Sequence, residues 1–183
     1  PEWGIDNIDA ITCQNNLVQI GLPRPTDLDA DETNLTYSTT SPSNGTAVYI
    51  NGAVSYTPNS GFSGTDQFTV VVCDELYPVQ CDSMNVSVTV SANTAPTTPT
   101  VNVTTPNQTA VDFCLPVSDA ESGVTTTVTS IPNVGTFTPA LQGGNCFVFT
   151  PNGNYSGTQA FSYSSCDACG LCSEGTVNIT VQA

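Results

Sequence analysis

Eight cysteines and sixteen acidic residues carry most of the chemistry that this sequence could perform. Cysteines form disulfides or bind metals as thiolates, and clustered carboxylates bind hard cations such as Ca²⁺. The chain has no histidine and no lysine. Their absence removes the commonest general base, the Schiff-base amine and the imidazole metal ligand. Carboxylate pairs can also hydrolyse glycosides, but here they fall in turns and no pattern places two in one pocket. We therefore expect no enzyme.

The charge balance restricts the partners of the chain. Its formal net charge is −15, and Arg24 is its single basic side chain. Nucleic acids and anionic lipid surfaces are bound through Lys and Arg, so we expect no nucleic acid partner and no membrane insertion. The sequence has neither an apolar run of membrane-spanning length nor a signal peptide, and it starts at Pro1. We interpret it as a processed product or a piece of something longer.

One stretch occurs twice and defines the domain organisation. Residues 56–74 read YTPNSGFSGTDQFTVVVCD and residues 149–167 read FTPNGNYSGTQAFSYSSCD, at a constant offset of 93. A repeat of that length is one domain copied rather than a solenoid unit. The sequence therefore predicts domains at 1–92 and 93–183. The segment SANTAPTTP at about 91–99 is the expected linker, because proline and small polar residues break both periodicities.

Short alternating segments predict the elements that position these side chains. In NVSVTV the residues Val86, Val88 and Val90 alternate with polar ones, which is typical of a half-buried antiparallel strand. Asn51-Gly52 is a two-residue hairpin signal. Seven short strands per domain predict an all-β fold of two tandem Greek-key β-sandwiches. The predicted strands lie within 1–13, 17–22, 35–39, 46–50, 53–58, 66–72 and 83–90, and within 100–104, 109–115, 124–130, 135–141, 146–150, 159–165 and 176–181.

The motif NGTAVYINGAVSYTPNSGFSGTDQFTVVVCD, with ANTAP after the last strand, resembles the bacterial Ig-like, cadherin-like tandem repeats related to VCBS domains. Those repeats carry an acidic loop, an NG…YTP…G-D-F core and an N-x-A-P linker. The first domain matches nearly throughout, whereas in the second Gln159 replaces Asp66. The resemblance implies an extracellular bacterial array that extends or displays something, with no catalytic activity.

Strand topology predicts three disulfides within domains. Cys73 ends the sixth strand of the first domain and Cys81 starts the seventh, so the two can close that hairpin. Cys166 and Cys172 are their equivalents in the second domain. Cys114 and Cys146 lie on neighbouring strands of one sheet, where a cross-strand bridge is geometrically reasonable. So many cysteines without an evident metal array indicate an oxidising, extracellular setting.

Two cysteines remain, one in each domain. Cys13 falls at the first turn of domain 1 and Cys169 in the last hairpin loop of domain 2, and this topology places both at the junction. We predict a Cys13–Cys169 staple, with pairing between subunits as the alternative. A third interpretation is that CDACGLC (166–172) binds a metal through three thiolates, although it would need a fourth ligand and a reducing compartment.

The acidic loops are the candidate cation sites. DLDADE and DAES lie between the second and third strands of their domains, at the same pole as the last hairpin loops. Carboxylates there, with linker carbonyls and an asparagine, could bind calcium, which prefers six to eight oxygens; the cadherin-like resemblance supports calcium at domain junctions. The alternative is that these are solvated turn residues. The candidates are Asp27, Asp29, Asp31, Asp74, Asn93, Asp119, Glu121 and Asp167.

Several short motifs could accept glycans, which would decorate the surface. Seven N-x-S/T triplets are present, as chance also produces in a Thr/Ser/Asn-rich chain, and Asp82-Ser83-Met84 resembles a bacterial O-glycosylation motif. The candidates are Asn34, Asn44, Asn85, Asn102, Asn107, Asn154, Asn178 and Ser83.

Together these features predict a structural module: a rigid, disulfide-stapled segment of a bacterial adhesin, stalk or filament at the cell surface. Its partners would be neighbouring domains of the array or head-to-tail copies, with Pro1–Ile11 completing a neighbour's sheet. No cofactor is required, and calcium is the only candidate. The alternative is a binding module for a surface glycan or protein, attached to a secreted protein. It would need an aromatic platform, for which Trp3, Tyr49 and Tyr77 are the candidates. For Trp3, packing near a domain end is the favoured interpretation.

Overall fold

The computed structural model describes residues 1–27, 35–75, 79–130, 133–139 and 144–183. The regular elements in these ranges are β-strands, and they divide between two compact units, Pro1–Asn93 (domain 1) and Thr94–Ala183 (domain 2). The predicted all-β fold of two sandwich domains is confirmed. Within the described ranges no helix is long and apolar enough to span a membrane.

Domain 1 is a sandwich of a four-stranded and a three-stranded sheet, in the orders β1-β7-β6-β3 and β2-β5-β4. The pair β1–β7 is parallel and the other neighbours are antiparallel. The chain changes sheet at every connection except the β4–β5 and β6–β7 hairpins, which is the predicted Greek-key arrangement. The strands are β1 Asn7–Cys13, β2 Val18–Gly21, β3 Leu35–Thr39, β4 Gly45–Ile50, β5 Ala53–Pro58, β6 Gly64–Asp74 and β7 Cys81–Ser91.

Alternation along β6 and β7 builds the core of domain 1. The side chains of Val70, Val72, Val86 and Val88 are fully buried, whereas Val71 and Ser87, which lie between them, are half-buried on the outer face. This is the period of two that pairs an apolar inner face with a wet outer face. Trp3 packs into the same core and is only 3% exposed. It is thus a packing residue, and its proposed place in a ligand platform is wrong.

Domain 2 repeats the plan in sheets of order β10-β13-β14-β8 and β11-β12-β9. Its core includes Phe149, Phe161, Tyr163, Val177 and Ile179. The long hairpin β13–β14 repeats β6–β7, with β13 offset by 93 residues from β6 and β14 offset by 91 residues from β7, because its turn is two residues shorter. The strands are β8 Val101–Pro106, β9 Val111–Cys114, β10 Val124–Val128, β11 Gly135–Pro139, β12 Cys146–Pro151, β13 Gly157–Asp167 and β14 Cys172–Gln182.

A glycine lies beneath an aromatic ring in each three-stranded sheet. A Cβ at Gly45 would come within 2.7 Å of the Tyr56 ring, and a Cβ at Gly135 would overlap the ring of Phe149 in the same way. Each ring covers the backbone of the neighbouring strand, which offsets the lost side-chain packing of a strand glycine. Packing against these rings therefore requires glycine at positions 45 and 135.

A buried carboxylate, Asp66, links the strands of domain 1 and is 3% exposed. Its Oδ2 accepts hydrogen bonds from the Tyr56 hydroxyl and the Asn44 amide, both at 2.9 Å. Its Oδ1 accepts from the amides of Ser43 and Gln67 at 3.2 and 3.0 Å. A buried carboxylate is tolerated only when its oxygens are hydrogen-bonded. Burial, aided by the Asp66 hydrogen bond, raises the pKa of Tyr56.

Strand β1 pairs with β7 of its own domain, from Asn7↔Asn85 to Cys13↔Ser91. This contradicts the prediction that Pro1–Ile11 completes the sheet of a neighbouring copy, because Asn7–Ile11 already occupies the edge of its own sheet. Strand donation would require Pro1–Ile11 to lack a strand partner within its own chain. Parallel pairing with a strand of 11 residues supplies the missing partner.

Most of the predicted linker is held by domain 2. Thr94 donates its hydroxyl to Glu121 Oε2 at 2.8 Å, and Thr97 exchanges two backbone hydrogen bonds with Ser118. The Tyr163 hydroxyl donates to the carbonyl of Pro99 at 2.6 Å. Proline and small polar residues break both periodicities here, and the sequence therefore predicted only a linker. Side-chain and isolated backbone bonds instead fix Thr94–Pro99 to the second domain.

Candidate functional site

Three cross-strand disulfides fix the strands on which candidate residues lie. Cys73–Cys81 and Cys166–Cys172 join directly opposite residues at the ends of the β6–β7 and β13–β14 hairpins. Cys114–Cys146 joins opposite residues of β9 and β12. The Cα–Cα distances are 4.1, 4.0 and 3.9 Å respectively. Each pair that strand topology predicted within a domain is therefore formed.

The remaining cysteines, Cys13 and Cys169, are both disulfide-bonded, and no cysteine in the described ranges is free. Cys13 is the last residue of β1, and Cys169 lies in the turn between β13 and β14, as the topology required. Their pairing with each other stays a prediction. The thiolate interpretation of CDACGLC is wrong, because all three of its sulfurs are oxidised and a disulfide sulfur is a poor metal ligand.

The acidic loop of domain 2 packs beside its last hairpin turn, as predicted. Asp119 Oδ1 accepts hydrogen bonds from the amides of Glu121 and Ser122 at 3.0 and 2.7 Å. The Ser122 hydroxyl then accepts from the amide of Ala168 in the β13–β14 turn at 3.2 Å. In that turn the buried Asp167 caps two further amides. These carboxylates act as turn acceptors, in keeping with the alternative interpretation of the acidic loops.

The corresponding pole of domain 1 is built in a similar way. The Asp27 side chain is 1% exposed, and its carboxylate lies 3.3 Å from the amino group of Pro1. Asp74 is buried, and its Oδ1 accepts from the amide of Gln80 at 3.0 Å. Asp82 Oδ2 accepts from the amide of Trp3 at 2.8 Å. These bonds close the pole of the sandwich around β7.

Calcium binding remains a prediction. In the part of the chain that the structure describes, no group of three or more His, Cys, Asp or Glu side chains is arranged to hold a metal ion. Two of the predicted ligands, Asp29 and Asp31, lie outside the described residues. Asn93 is buried, at the end of domain 1. A calcium site would have to draw on backbone carbonyls as well as on these side chains.

The predicted glycan acceptors differ in exposure. Ser83, Asn85, Asn102 and Asn154 are exposed, whereas Asn44, Asn107 and Asn178 are half-buried. The side-chain amide of Asn178 donates to Asn102 Oδ1 at 3.0 Å. These two candidate glycosylation sites are therefore directly opposite each other on the paired strands β14 and β8. Asn34 lies outside the described residues. Glycosylation of any of these sites stays a prediction.

The predicted aromatic platform is replaced by a different pair. Tyr49 stacks on Tyr37, with ring centroids 4.5 Å apart and an interplanar angle of 10°, and both are half-buried. Tyr77, the third candidate, lies outside the described residues. Sequence reasoning missed Tyr37. The alternation in LTYST places Tyr37 between Leu35 and Thr39 on the inner face of β3, and that signal was present.

A family model described as a bacterial Ig domain matches the chain twice, at residues 5–89 and 93–180. No curated protein matches the sequence. Similar solved structures include the human desmocollin-1 ectodomain (11% identity, TM-score 0.45, 100% of this chain and 42% of that chain). Others are the protocadherin GammaB4 extracellular domain (14%, 0.45, 99% and 32%) and an endo-fucoidan hydrolase of glycoside hydrolase family 107 (19%, 0.38, 97% and 27%).

The chain spans less than half the length of these structures. At such identities and TM-scores the likenesses carry no argument about function. The family matches cover almost the whole chain and coincide with the two sandwiches. The chain belongs to the bacterial Ig domain family, of which it carries two adjacent copies.

Proposed function

We propose that the chain is a tension-carrying structural segment of a bacterial surface adhesin, stalk or filament. The observation that carries the proposal is the oxidation of all eight cysteines, with none free in the described ranges. The family and the disulfides indicate an extracellular location. Beyond that location, we propose that the protein is attached to the cell surface.

A Cys13–Cys169 bridge would give the segment its mechanical property. Tension applied at the two ends would pass through the bridge and bypass residues 14–168, which hold most of both cores. The bridges within domains add a second restraint by limiting the unfolded chain, each by about 2–4 kcal/mol. The partners would be further domains of the same array or head-to-tail copies. No catalytic step is proposed, and bound calcium would add rigidity without being required.

Single-molecule pulling tests this function. With the bridge intact, only the residues outside Cys13 and Cys169 can extend, which gives at most about 90 Å of added length at ~3.4 Å per residue. A Cys13→Ser/Cys169→Ser variant keeps the other three bridges and should extend by roughly 450 Å. A wild-type chain that extends as far as the double variant would contradict the proposal.

A second candidate function, binding of a carbohydrate or protein, is favoured by one observation. Tyr37 and Tyr49 form a stacked, half-buried pair that lines a surface cavity in domain 1. A segment that displays a ligand-binding surface is compatible with a structural role in an array.

A further inference from the structure

The two stacked tyrosines line a surface cavity of about 150 Å³ in domain 1. Tyr37 lies on β3 and Tyr49 on β4, and these are the edge strands of the two sheets. The segment Leu22–Pro25, which we call the proline wall, and Gly52 of the β4–β5 turn also line the cavity. We call this cavity the Tyr37–Tyr49 cleft.

The proline wall of the Tyr37–Tyr49 cleft is held at both ends. The amide of Leu22 donates to the carbonyl of Gly52 at 3.1 Å. Beyond Pro25, Thr26 exchanges two backbone hydrogen bonds with Glu2, at 2.8 and 2.9 Å. Proline rings also fix φ at Pro23 and Pro25. The wall is thus preformed, which lowers the ordering cost of binding.

Domain 2 builds the same strand arrangement without the aromatic pair. Tyr37 pairs with Val72, and the residue in the corresponding register of domain 2 is Thr126, opposite Ser165. Tyr49 pairs with Val54, and its counterpart Pro139 pairs with Phe147. The two rings pack against the core of domain 1 and remain partly exposed, although the strand arrangement that the domains share does not require them.

The charges around the Tyr37–Tyr49 cleft define its ligand. Arg24, the only basic side chain of the whole sequence, lines the cleft. A net charge of −15 repels a polyanion, and the guanidinium disfavours a cation at this point. An uncharged ligand with oxygen acceptors remains, since Arg offers five N–H donors. The tyrosine faces favour a flat apolar surface, such as the C–H face of a sugar ring.

We propose that the Tyr37–Tyr49 cleft binds one neutral hexopyranose residue of a glycan. The ring would pack on the aromatic pair and accept hydrogen bonds from Arg24. The cavity has room for about five water volumes of ~30 Å³, which matches one sugar ring and not an oligosaccharide. A single ring implies weak binding, with a dissociation constant of about 1–10 mM. Display on an array would then raise avidity through repeated copies.

This inference rests on the second candidate function and is independent of the Cys13–Cys169 bridge. The test is a ¹H–¹⁵N NMR titration of the full chain with methyl glucopyranoside, methyl galactopyranoside and methyl mannopyranoside. Two comparison probes are an anionic methyl glucuronide and a deca-proline peptide. At least one neutral hexoside should produce saturable shifts of the amides of Gly52 and Arg24, and it should bind more tightly than the glucuronide.

Tyr49→Ala should weaken the binding by at least about tenfold. Val48→Ala is the matched control, because Val48 is the preceding residue of β4, faces outward and is 53% exposed. It should bind as the parent chain does. Arg24→Gln changes an exposed residue and removes no aromatic ring from the core. It should also weaken the binding, and it keeps the test decisive if Tyr49→Ala fails to fold.

Three results would overturn the proposal. One is the absence of shifts at Gly52 and Arg24 with every neutral hexoside. Another is tighter binding of the glucuronide, which would make the ligand anionic. The third is binding of the deca-proline peptide alone, which would make the cleft a peptide site. None of them alters the extension measured for the structural role, so the two proposals fail separately.

Discussion

The two domains share strand order and register but stabilise their interiors by different means. Domain 1 buries a hydrogen-bonded pair, Tyr56 and Asp66, where domain 2 has Phe149 and an exposed Gln159. Domain 2 instead has the Cys114–Cys146 bridge between β9 and β12. The paired residues at that place in domain 1 are Gly21 and Ala53.

The difference separates what the fold requires from what it tolerates. Both copies keep a glycine under an aromatic ring and a phenylalanine at the position of Phe68 and Phe161. Both also keep inward-facing residues along the long hairpin. These are requirements of shape, which follow from close packing. The cross-links between strands are exchangeable, because a buried polar network and a disulfide both restrict strand separation.

The largest expected effect comes from the buried carboxylate. Asp66→Ala leaves the Tyr56 hydroxyl and three backbone amides without this acceptor, so the free energy of unfolding of domain 1 should fall by about 2–5 kcal/mol. Gln159→Ala, the matched change in domain 2, should cost under about 0.5 kcal/mol because Gln159 is exposed. Urea denaturation followed by Trp3 fluorescence reports on domain 1, and hydrogen exchange reports on both domains. Equal effects of the two variants would remove the distinction between the domains.

The next effect tests the disulfide of domain 2. Cys114→Ala/Cys146→Ala should lower the free energy of unfolding of domain 2 by about 2–4 kcal/mol and leave domain 1 unchanged. The reciprocal variant, Gly21→Cys/Ala53→Cys, should form a bridge in domain 1, since a Cβ at Gly21 meets no atom within 4 Å. Domain-resolved hydrogen exchange measures both changes. If the engineered cysteines stay reduced under oxidising conditions, the two positions do not correspond as proposed.

The smallest effect concerns alkaline pH. Burial raises the pKa of Tyr56, so the folded state keeps the phenol protonated when the unfolded chain ionises near pH 10. The stabilisation is fully present below pH 10 and is lost as the pH rises above it, by at most about 1.4 kcal/mol per pH unit. Tyr56→Phe should therefore lose less stability between pH 8 and pH 11 than the parent chain, by Trp3 fluorescence. Identical losses would show that Tyr56 does not titrate as described.

Period and repeat made most of the fold predictable from the sequence. Alternating valines identified β7, and the repeated stretch at an offset of 93 related β12 and β13 of domain 2 to β5 and β6 of domain 1. The three bridges within domains followed because each joins residues at the ends of neighbouring strands. Periodicity is informative here since every long strand has one buried and one wet face.

Contacts between residues distant in sequence were not predictable in the same way. Asp66 was noted as part of a fold signature, but its acceptance of the Tyr56 hydroxyl depends on a cross-sheet distance that spacing does not contain. The attachment of Thr94 to Glu121 was missed for the same reason. Tyr37 is half-buried in a strand of ordinary composition, and its importance emerges only from the ring stacked against it.

The central claim, a segment closed by a bridge between Cys13 and Cys169, is tested most directly by non-reducing peptide mapping. Trypsin is unsuitable because the only basic residue, Arg24, precedes Pro25, so pepsin is the protease to use. The account predicts a peptide pair joining Cys13 to Cys169 in monomeric material. Recovery of that pair only from multimers, or alkylation of either residue as a free thiol before reduction, would contradict it.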